Sequence, residues 1–99
     1  YYRTLDPFVT LAAAAAVTER VALACSVAIA GVRSPFETAF AALDLDRISN
    51  GRFVLGLGSS TRWVTRGHFG VDWPRPVEQL RECVAAVRHV IGHAHSGLA

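Results

Sequence analysis

Val21-Ala22-Leu23-Ala24-Cys25-Ser26-Val27-Ala28-Ile29-Ala30 is a run of ten residues with one polar side chain, Ser26. Apolarity without alternation is expected of a strand covered on both faces, and such strands belong to parallel sheets with helices packed over them. This run therefore decides between a half-solvated antiparallel sheet and a helix-covered α/β sheet. It favours the second.

The flanking residues fit. Gly31-Val32-Arg33 makes a loop, and Ser34-Pro35-Phe36-Glu37 opens a helix with capping-box residues, where hydroxyl and carboxylate satisfy free backbone donors. The helical spacing of Phe36, Phe40, Leu43 and Arg47, with Ala39 and Ala42 beside them, predicts an inward face, leaving Glu37, Asp44 and Asp46 wetter. Asn50-Gly51 stops that helix, since both residues tolerate the left-handed conformation. A second apolar strand, Arg52–Leu57, runs into Gly56-Leu57-Gly58-Ser59-Ser60. Thr61 to Arg75 reads as polar and irregular. Pro76 then opens a helix whose Val77, Leu80, Val84, Val87 and Ile91 form an apolar stripe. On the N-terminal side, Asp6-Pro7 starts a helix with a carboxylate cap and Pro in the first turn. Its stripe is Phe8, Leu11, Ala12, Ala15 and Ala16, and it is expected to end near Thr18–Arg20.

The order is α-β-α-β-loop-α, which implies a right-handed βαβ unit and a parallel sheet. Two strands alone leave two apolar edges, an arrangement natural proteins seldom tolerate. The reading is a piece of a larger α/β protein, with the free edges offering a homo-oligomer contact.

Composition narrows the function. The 99 residues are one domain's worth at most, 52% hydrophobic and 18% charged. Ten Arg, no Lys and eight acidic residues give a formal charge of +2, too thin a basic surface for a nucleic-acid partner. The longest apolar run, Leu11–Val17, is far short of the ~20 residues a membrane span needs. No signal-peptide pattern opens the sequence. Two cysteines, Cys25 and Cys83, cannot form a disulfide framework, so a reducing, cytoplasmic setting is expected.

The glycines after the second strand are the sharpest local feature. At the C-terminal end of a parallel strand, glycine lets a flat ligand or a phosphate approach the backbone, and a simple tight turn is the plainer reading. The third Gly of a dinucleotide fingerprint is missing and no prompt helix start is evident. Ser59 and Ser60 lack the Gly-x-Ser-x-Gly elbow of a nucleophile. Ser26, polar within an apolar strand, needs a hydrogen bond or a cavity; Cys25 and Cys83 read as small apolar residues. His89, His93 and His95 could imitate a metal cluster, yet lie at a frayed end without carboxylates, so no metal site is expected. Arg62, Arg66 and Arg75 flank the loop as anion-holding or solvated residues.

Several ordered pieces resemble the luciferase-like monooxygenase superfamily, in particular its coenzyme F420-dependent oxidoreductases of actinobacterial type. They are Asp6-Pro7-Phe8-Val9 leading an Ala-rich helix, Ala16-Val17-Thr18-Glu19-Arg20-Val21, and Arg33-Ser34-Pro35. To these add Ser49-Asn50-Gly51-Arg52-Phe53-Val54-Leu55-Gly56-Leu57-Gly58 and Phe69-Gly70-Val71-Asp72-Trp73-Pro74. The resemblance covers about residues 5 to 91 and implies a partial (β/α)8 TIM barrel over residues 1–91, about strands 3 and 4 with their flanking helices. Residues 92–99 diverge as a frayed tail. It further implies coenzyme F420 as cofactor, FMN being the alternative, with a small organic molecule as substrate. The cofactor residues it implies are Ser26, Val27 and Ile29 on the third barrel strand, with a cis Ser26–Val27 peptide bond in the cofactor-bound protein. Gly58, Ser59 and Ser60 complete the wall at the end of the fourth. Thr61 and Arg62 stand where some members carry an acid, so no catalytic residue is named. With half of the expected site absent, the chain alone is expected to be inactive. The competing reading is a non-catalytic, truncated paralogue that survives by pairing its strand edges.

Overall fold

The computed structural model describes residues 5–94. In chain order they form α1 (Pro7–Ala16), β1 (Leu23–Ile29), a 3-10 turn (Ala30–Val32), α2 (Pro35–Ile48), β2 (Phe53–Gly58), α3 (Arg62–Phe69) and α4 (Pro76–His93). The two strands pair in parallel. The α/β reading and the strand–helix–strand order hold.

Helix starts follow the sequence closely. The Asp6 carboxylate accepts from the Val9 amide at 3.0 Å, and the Ser34 hydroxyl accepts from the Phe36 amide at 3.2 Å. Helix ends differ more. α1 stops at Ala16 rather than near Thr18–Arg20, because Thr18 turns its hydroxyl back onto the Ala14 carbonyl at 2.7 Å. α4 runs through Gly92 to His93, so the divergent segment begins in a helix; residues 95–99, including His95, lie outside the described residues.

The largest correction is α3, an eight-residue helix within the stretch read as irregular. Thr61 caps it, its hydroxyl accepting from the Val64 amide at 3.3 Å, and Gly70 closes it at φ +67°. Both cap residues are plain in the sequence, and a helix start does follow the glycines promptly.

β1 carries an irregularity that fixes which side chains face where. Cys25 pairs with Leu55 and Ala28 with Leu57, so β1 spends one residue more than β2 between these pairs. That extra residue is a bulge. Before it Leu23 and Cys25 are buried and Ala24 is exposed; after it Ala28 is buried. Ser26 and Val27 therefore both point to the exposed side, and their peptide bond is cis, as the resemblance implies.

One face of the sheet is covered, not two. Phe8, Cys25, Ala28 and Leu45 form a core with Phe53, Leu55 and Leu57 between the sheet, α1 and α2. Ala30, Ala39, Cys83 and Val87 form a second core under α4. The opposite face, with Ala24, Ser26, Val27 and Val54, is exposed. The run that opened the reading is continuous because its outer residues are small and apolar, not because helices cover both sides.

α2 corrects a second expectation. Its buried residues are Thr38, Ala39, Ala42 and Leu45, whereas Phe36 and Phe40 are 57% and 56% exposed and tilt against each other at 6.2 Å. The face toward the sheet needs small side chains for close approach, and the large rings are displaced outward. On α4, Cys83 and Val87 are buried while Val77, in the first turn, is 69% exposed.

Candidate functional site

The residues singled out in the sequence gather at the C-terminal ends of β1 and β2. Gly58 lies against Val27: a Cβ at position 58 would sit 2.7 Å from Val27 Cγ2. A Cβ on Gly56 would sit 2.2 Å from the Cys25 carbonyl oxygen. Gly56 is thus required by the neighbouring strand's backbone at the bulge, while Gly58 gives room to the Val27 side chain. This is a different reason from room for a ligand, the one the sequence suggested.

Val27, half exposed, borders an open hollow of about 510 Å³ together with Ile29 and Ser60. Leu5, Pro7, Val32 and Phe69 complete its apolar lining, and Asp6 and Arg33 stand at its edge. Ser26 faces an adjoining hollow of about 380 Å³, shared through Val27, beside Thr10, Leu11 and Ala24. Ser59 is separated from these. It borders a groove on the far side with Leu80, Arg81, Val84 and Arg88 of α4. The structure therefore brings Val27, Ile29 and Ser60 to one mouth, packs Gly58 against Val27, opens Ser26 into the adjoining hollow and turns Ser59 away.

Two local features shape that mouth. Ser60 adopts φ +61°, a left-handed conformation uncommon for serine and frequent at binding sites. This redirects the chain from β2 into the Thr61 cap, and α3 returns Phe69 to the hollow. On the opposite rim, Arg33 hydrogen-bonds and ion-pairs with Asp6, and its guanidinium lies 4.9 Å from the Phe8 ring centroid. Partial burial pushes the Asp6 carboxyl up, but bonds from the Val9 amide and Arg33, with the Arg33 charge, outweigh it and hold the group below its ordinary value. Burial pushes the Cys25 and Cys83 thiols up, so neither is an activated nucleophile.

Sequence reasoning missed Asp6, Arg33 and Phe69 as mouth residues. Asp6 was legible only as a cap and Arg33 only as a loop residue, and their pairing spans 27 positions. Phe69 was hidden with α3. Of the loop arginines, Arg75 pairs with Glu78 at 3.1 Å, while Arg62 and Arg66 are exposed. His89 and His93 bring their rings to 4.2 Å, and among the described residues no three His, Cys, Asp or Glu side chains are placed to hold a metal ion.

The model of the luciferase-like monooxygenase family matches residues 1–97. The chain belongs to that family. It is 41% identical over 85 residues to a Mycobacterium tuberculosis protein provisionally named a coenzyme F420-dependent oxidoreductase, covering 86% of this chain and 24% of that one. It is 38% identical over 69 residues to a phthiodiolone/phenolphthiodiolone dimycocerosates ketoreductase from a Mycobacterium species, covering 70% of this chain and 18% of the relative. Among solved structures, the monooxygenase RslO1 of Streptomyces bottropensis superposes with a TM-score of 0.79 at 33% identity, over 86% of this chain and 26% of RslO1. The luciferase-like chain thus spans about a quarter of the length of such relatives.

The Ser49-x-Gly51-Arg52 motif, part of the luciferase-like resemblance, lies at the other end of the sheet. Arg52 Nε donates to the Ser49 carbonyl at 2.7 Å. Its Nη1 donates to Thr18 Oγ1 at 2.8 Å and the Val21 carbonyl at 2.9 Å. Its Nη2 donates to the Ala15 and Thr18 carbonyls at 3.2 and 3.0 Å. These bonds match the five N–H donors of a guanidinium. Ser49, fully buried, accepts from the Arg52 amide at 3.1 Å. The motif ties the C-terminal ends of α1 and α2 to the start of β2, where a cation complements both helix dipoles. It is a structural staple.

Proposed function

We propose that this luciferase-like chain contributes the third and fourth strands of a (β/α)8 barrel to an oxidoreductase that transfers a hydride between coenzyme F420 and a small organic substrate. The observation carrying this reading is the convergence of Val27, Ile29 and Ser60 on one hollow at the C-terminal strand ends, with Gly58 packed against Val27, where such barrels place their chemistry. The relative named as F420-dependent and the relative named as a ketoreductase support the choice of cofactor and reaction class.

The residues present fit one side of a flat ring system. Val27 offers an exposed branched face, Gly58 makes room for that side chain, and the Ser26 and Ser60 side chains add hydroxyls. When bound, the deazaflavin supplies a hydride acceptor or donor at its central ring. In this reading Val27 and Ile29 support the ring and exclude water from its face, while Ser60 and the backbone at Gly58 and Ser59 orient the chain attached to it. Thr61 holds the Val64 amide as a helix cap and leaves no acid in that position.

FMN is the second reading, favoured by the structural neighbour RslO1 being named a monooxygenase. A non-catalytic segment is the third, favoured by the uncovered sheet face. Titrating the purified protein with F420 and with FMN, followed by cofactor fluorescence, separates them. Saturable F420 binding that is lost on Gly58→Val supports the first reading, and saturation by FMN alone supports the second. No saturation by either cofactor sinks both.

A further inference from the structure

We infer that the outer helical surface is an interface for a second copy of this chain, with α2 of each copy lying on α4 of the other about a two-fold axis. This face lies away from the sheet and is independent of the cofactor reading.

The surface belongs to the helix layer and not to a sheet edge. α2 meets α1 in one core, through Ala41 and Leu45 with Phe8 and Leu11. It meets α4 in the other, through Ala39 with Cys83 and Val87. It is thus the middle helix of three, and Thr38, Ala39, Ala42 and Leu45 take up its inner side. Strands or helices added at either end of the layer would leave its outer stripe open. That stripe is Phe36, Glu37, Phe40 and Asp44, all exposed, with the two ring centroids 6.2 Å apart. Paired rings flanked by carboxylates on an outer helix face make a contiguous interaction surface.

Charge says what fits it. Arg81 and Arg88 on α4 are seven residues apart, as are Glu37 and Asp44 on α2. All four are exposed, and none has an ion-pair partner among the described residues. Seven residues are two helical turns, so each pair lines one helix face about 10 Å apart. Phe40 stands between the two carboxylates. Val84 and Ala85 stand between the two guanidiniums, along an open groove of about 490 Å³. The acids of α4 leave this match intact: Glu78 pairs with Arg75, and Glu82 borders a hollow on the opposite flank.

Register closes the dimer. α2 and α4 both start beyond the C-terminal ends of the strands, and Pro35 borders the same hollow as Gln79 and Cys83. The two helices therefore run in the same direction, with Ala39 level with Cys83 and Val87 in their shared core. A two-fold axis along them preserves these levels and sets each α2 against the other copy's α4. Glu37 then faces the partner's Arg81, Asp44 faces the partner's Arg88, and Phe40 enters the groove beside the partner's Ala85. Both ion pairs join positions forty-four apart, the same offset as Pro35 to Gln79 and Ala39 to Cys83 within one chain. The contact occurs twice and is closed, so it stops at two copies. Each α2 contributes a stripe ~21 Å long over its 14 residues, which suits a small interface with micromolar dissociation.

The test is sedimentation equilibrium of the purified protein at low salt, from about 1 to about 200 μM. Dimer is expected at the upper end and monomer near the lower, with association weakened several-fold in about 0.5 M NaCl. Glu37→Arg with Asp44→Arg should weaken self-association at least about tenfold, and so should Arg81→Glu with Arg88→Glu. Mixed in equal amounts, the two reversed chains should associate at wild-type strength, because each α2 again meets an α4 of opposite charge. Phe40→Ala should weaken association about tenfold with unchanged circular dichroism. Val54→Thr, on the open sheet face, should change nothing. A chain that stays monomeric throughout overturns the assignment, as does a mixture of reversed chains that fails to associate. A dimer that survives both reversals, or one that depends on Val54, is paired through the sheet and overturns it too.

Discussion

The two ends of the two-stranded sheet are built on opposite principles. At the start of β2, Arg52 places its N–H donors on protein oxygens and Ser49 is fully buried. At the other end, Ser60 is exposed in a left-handed conformation and Val27 is half exposed across a bulge. One end is satisfied internally and the other leaves its groups for something else. In the (β/α)8 barrel proposed for this chain, residues at the lower rim stabilise and those at the upper rim act. The familiar motif in this sequence belongs to the first kind.

The contrast is most sharply tested at Arg52. Arg52→Ala should cost on the order of 3 kcal/mol in urea unfolding, because several carbonyls at two helix ends lose their donors together. Arg52→Lys should recover less than half, since an ammonium cannot span acceptors on α1, in the turn at Thr18 and Val21, and at Ser49 at once. A loss under about 1 kcal/mol for Arg52→Ala would show that the lower end is not the anchor.

Next in size is the packing beneath the sheet. Leu45→Ala, at 2% exposure, should cost about 2–5 kcal/mol, and Phe40→Ala, at 56%, under about 1 kcal/mol. Equal losses would mean that the large rings of α2 are covered after all. At the upper end, Gly56→Ala should cost about 1–3 kcal/mol, as its methyl would meet the Cys25 carbonyl oxygen at 2.2 Å. Gly58→Ala meets only the flexible Val27 side chain at 2.7 Å, so its effect should show in cofactor titration before it shows in unfolding.

The smallest effect is titration of the rim. The Asp6 carboxyl is held below its ordinary value of 3.8 in the folded chain, so its contribution is present above that pH and lost as the pH falls through the folded value. Asp6→Asn should lower stability at neutral pH, where the contribution is present, and flatten the acid limb below about pH 4, where it is already lost. An unchanged acid limb would show that Asp6 and Arg33 do not hold each other in solution.

Much of the fold was legible because it rests on local signals. Asp6-Pro7 and Ser34-Pro35 cap helices as read, and the apolar runs pair in parallel. What was hidden depends on distance or parity. Nothing near Phe36 and Phe40 says that Ala39 and Ala42 win the inner face; that follows from how closely α2 approaches the sheet. α3 was lost because its polar surface outweighed its caps. At the site, Val27, Ile29, Gly58 and Ser60 come together, whereas Ser59 turns toward α4. Neighbouring residues leaving a strand point to opposite sides, and only the structure says which.

The staple at Arg52 also bears on how such a chain can change over generations. Its acceptors are mostly backbone carbonyls, which every amino acid supplies, so the neighbours at positions 15 and 21 can drift without loosening it. Only the arginine itself and the hydroxyls of Thr18 and Ser49 are constrained by identity. Substitutions around the mouth, at Phe69, Ile29 or Val32, touch none of these bonds. The mouth can therefore change its side chains while the architecture is inherited unchanged at the other end.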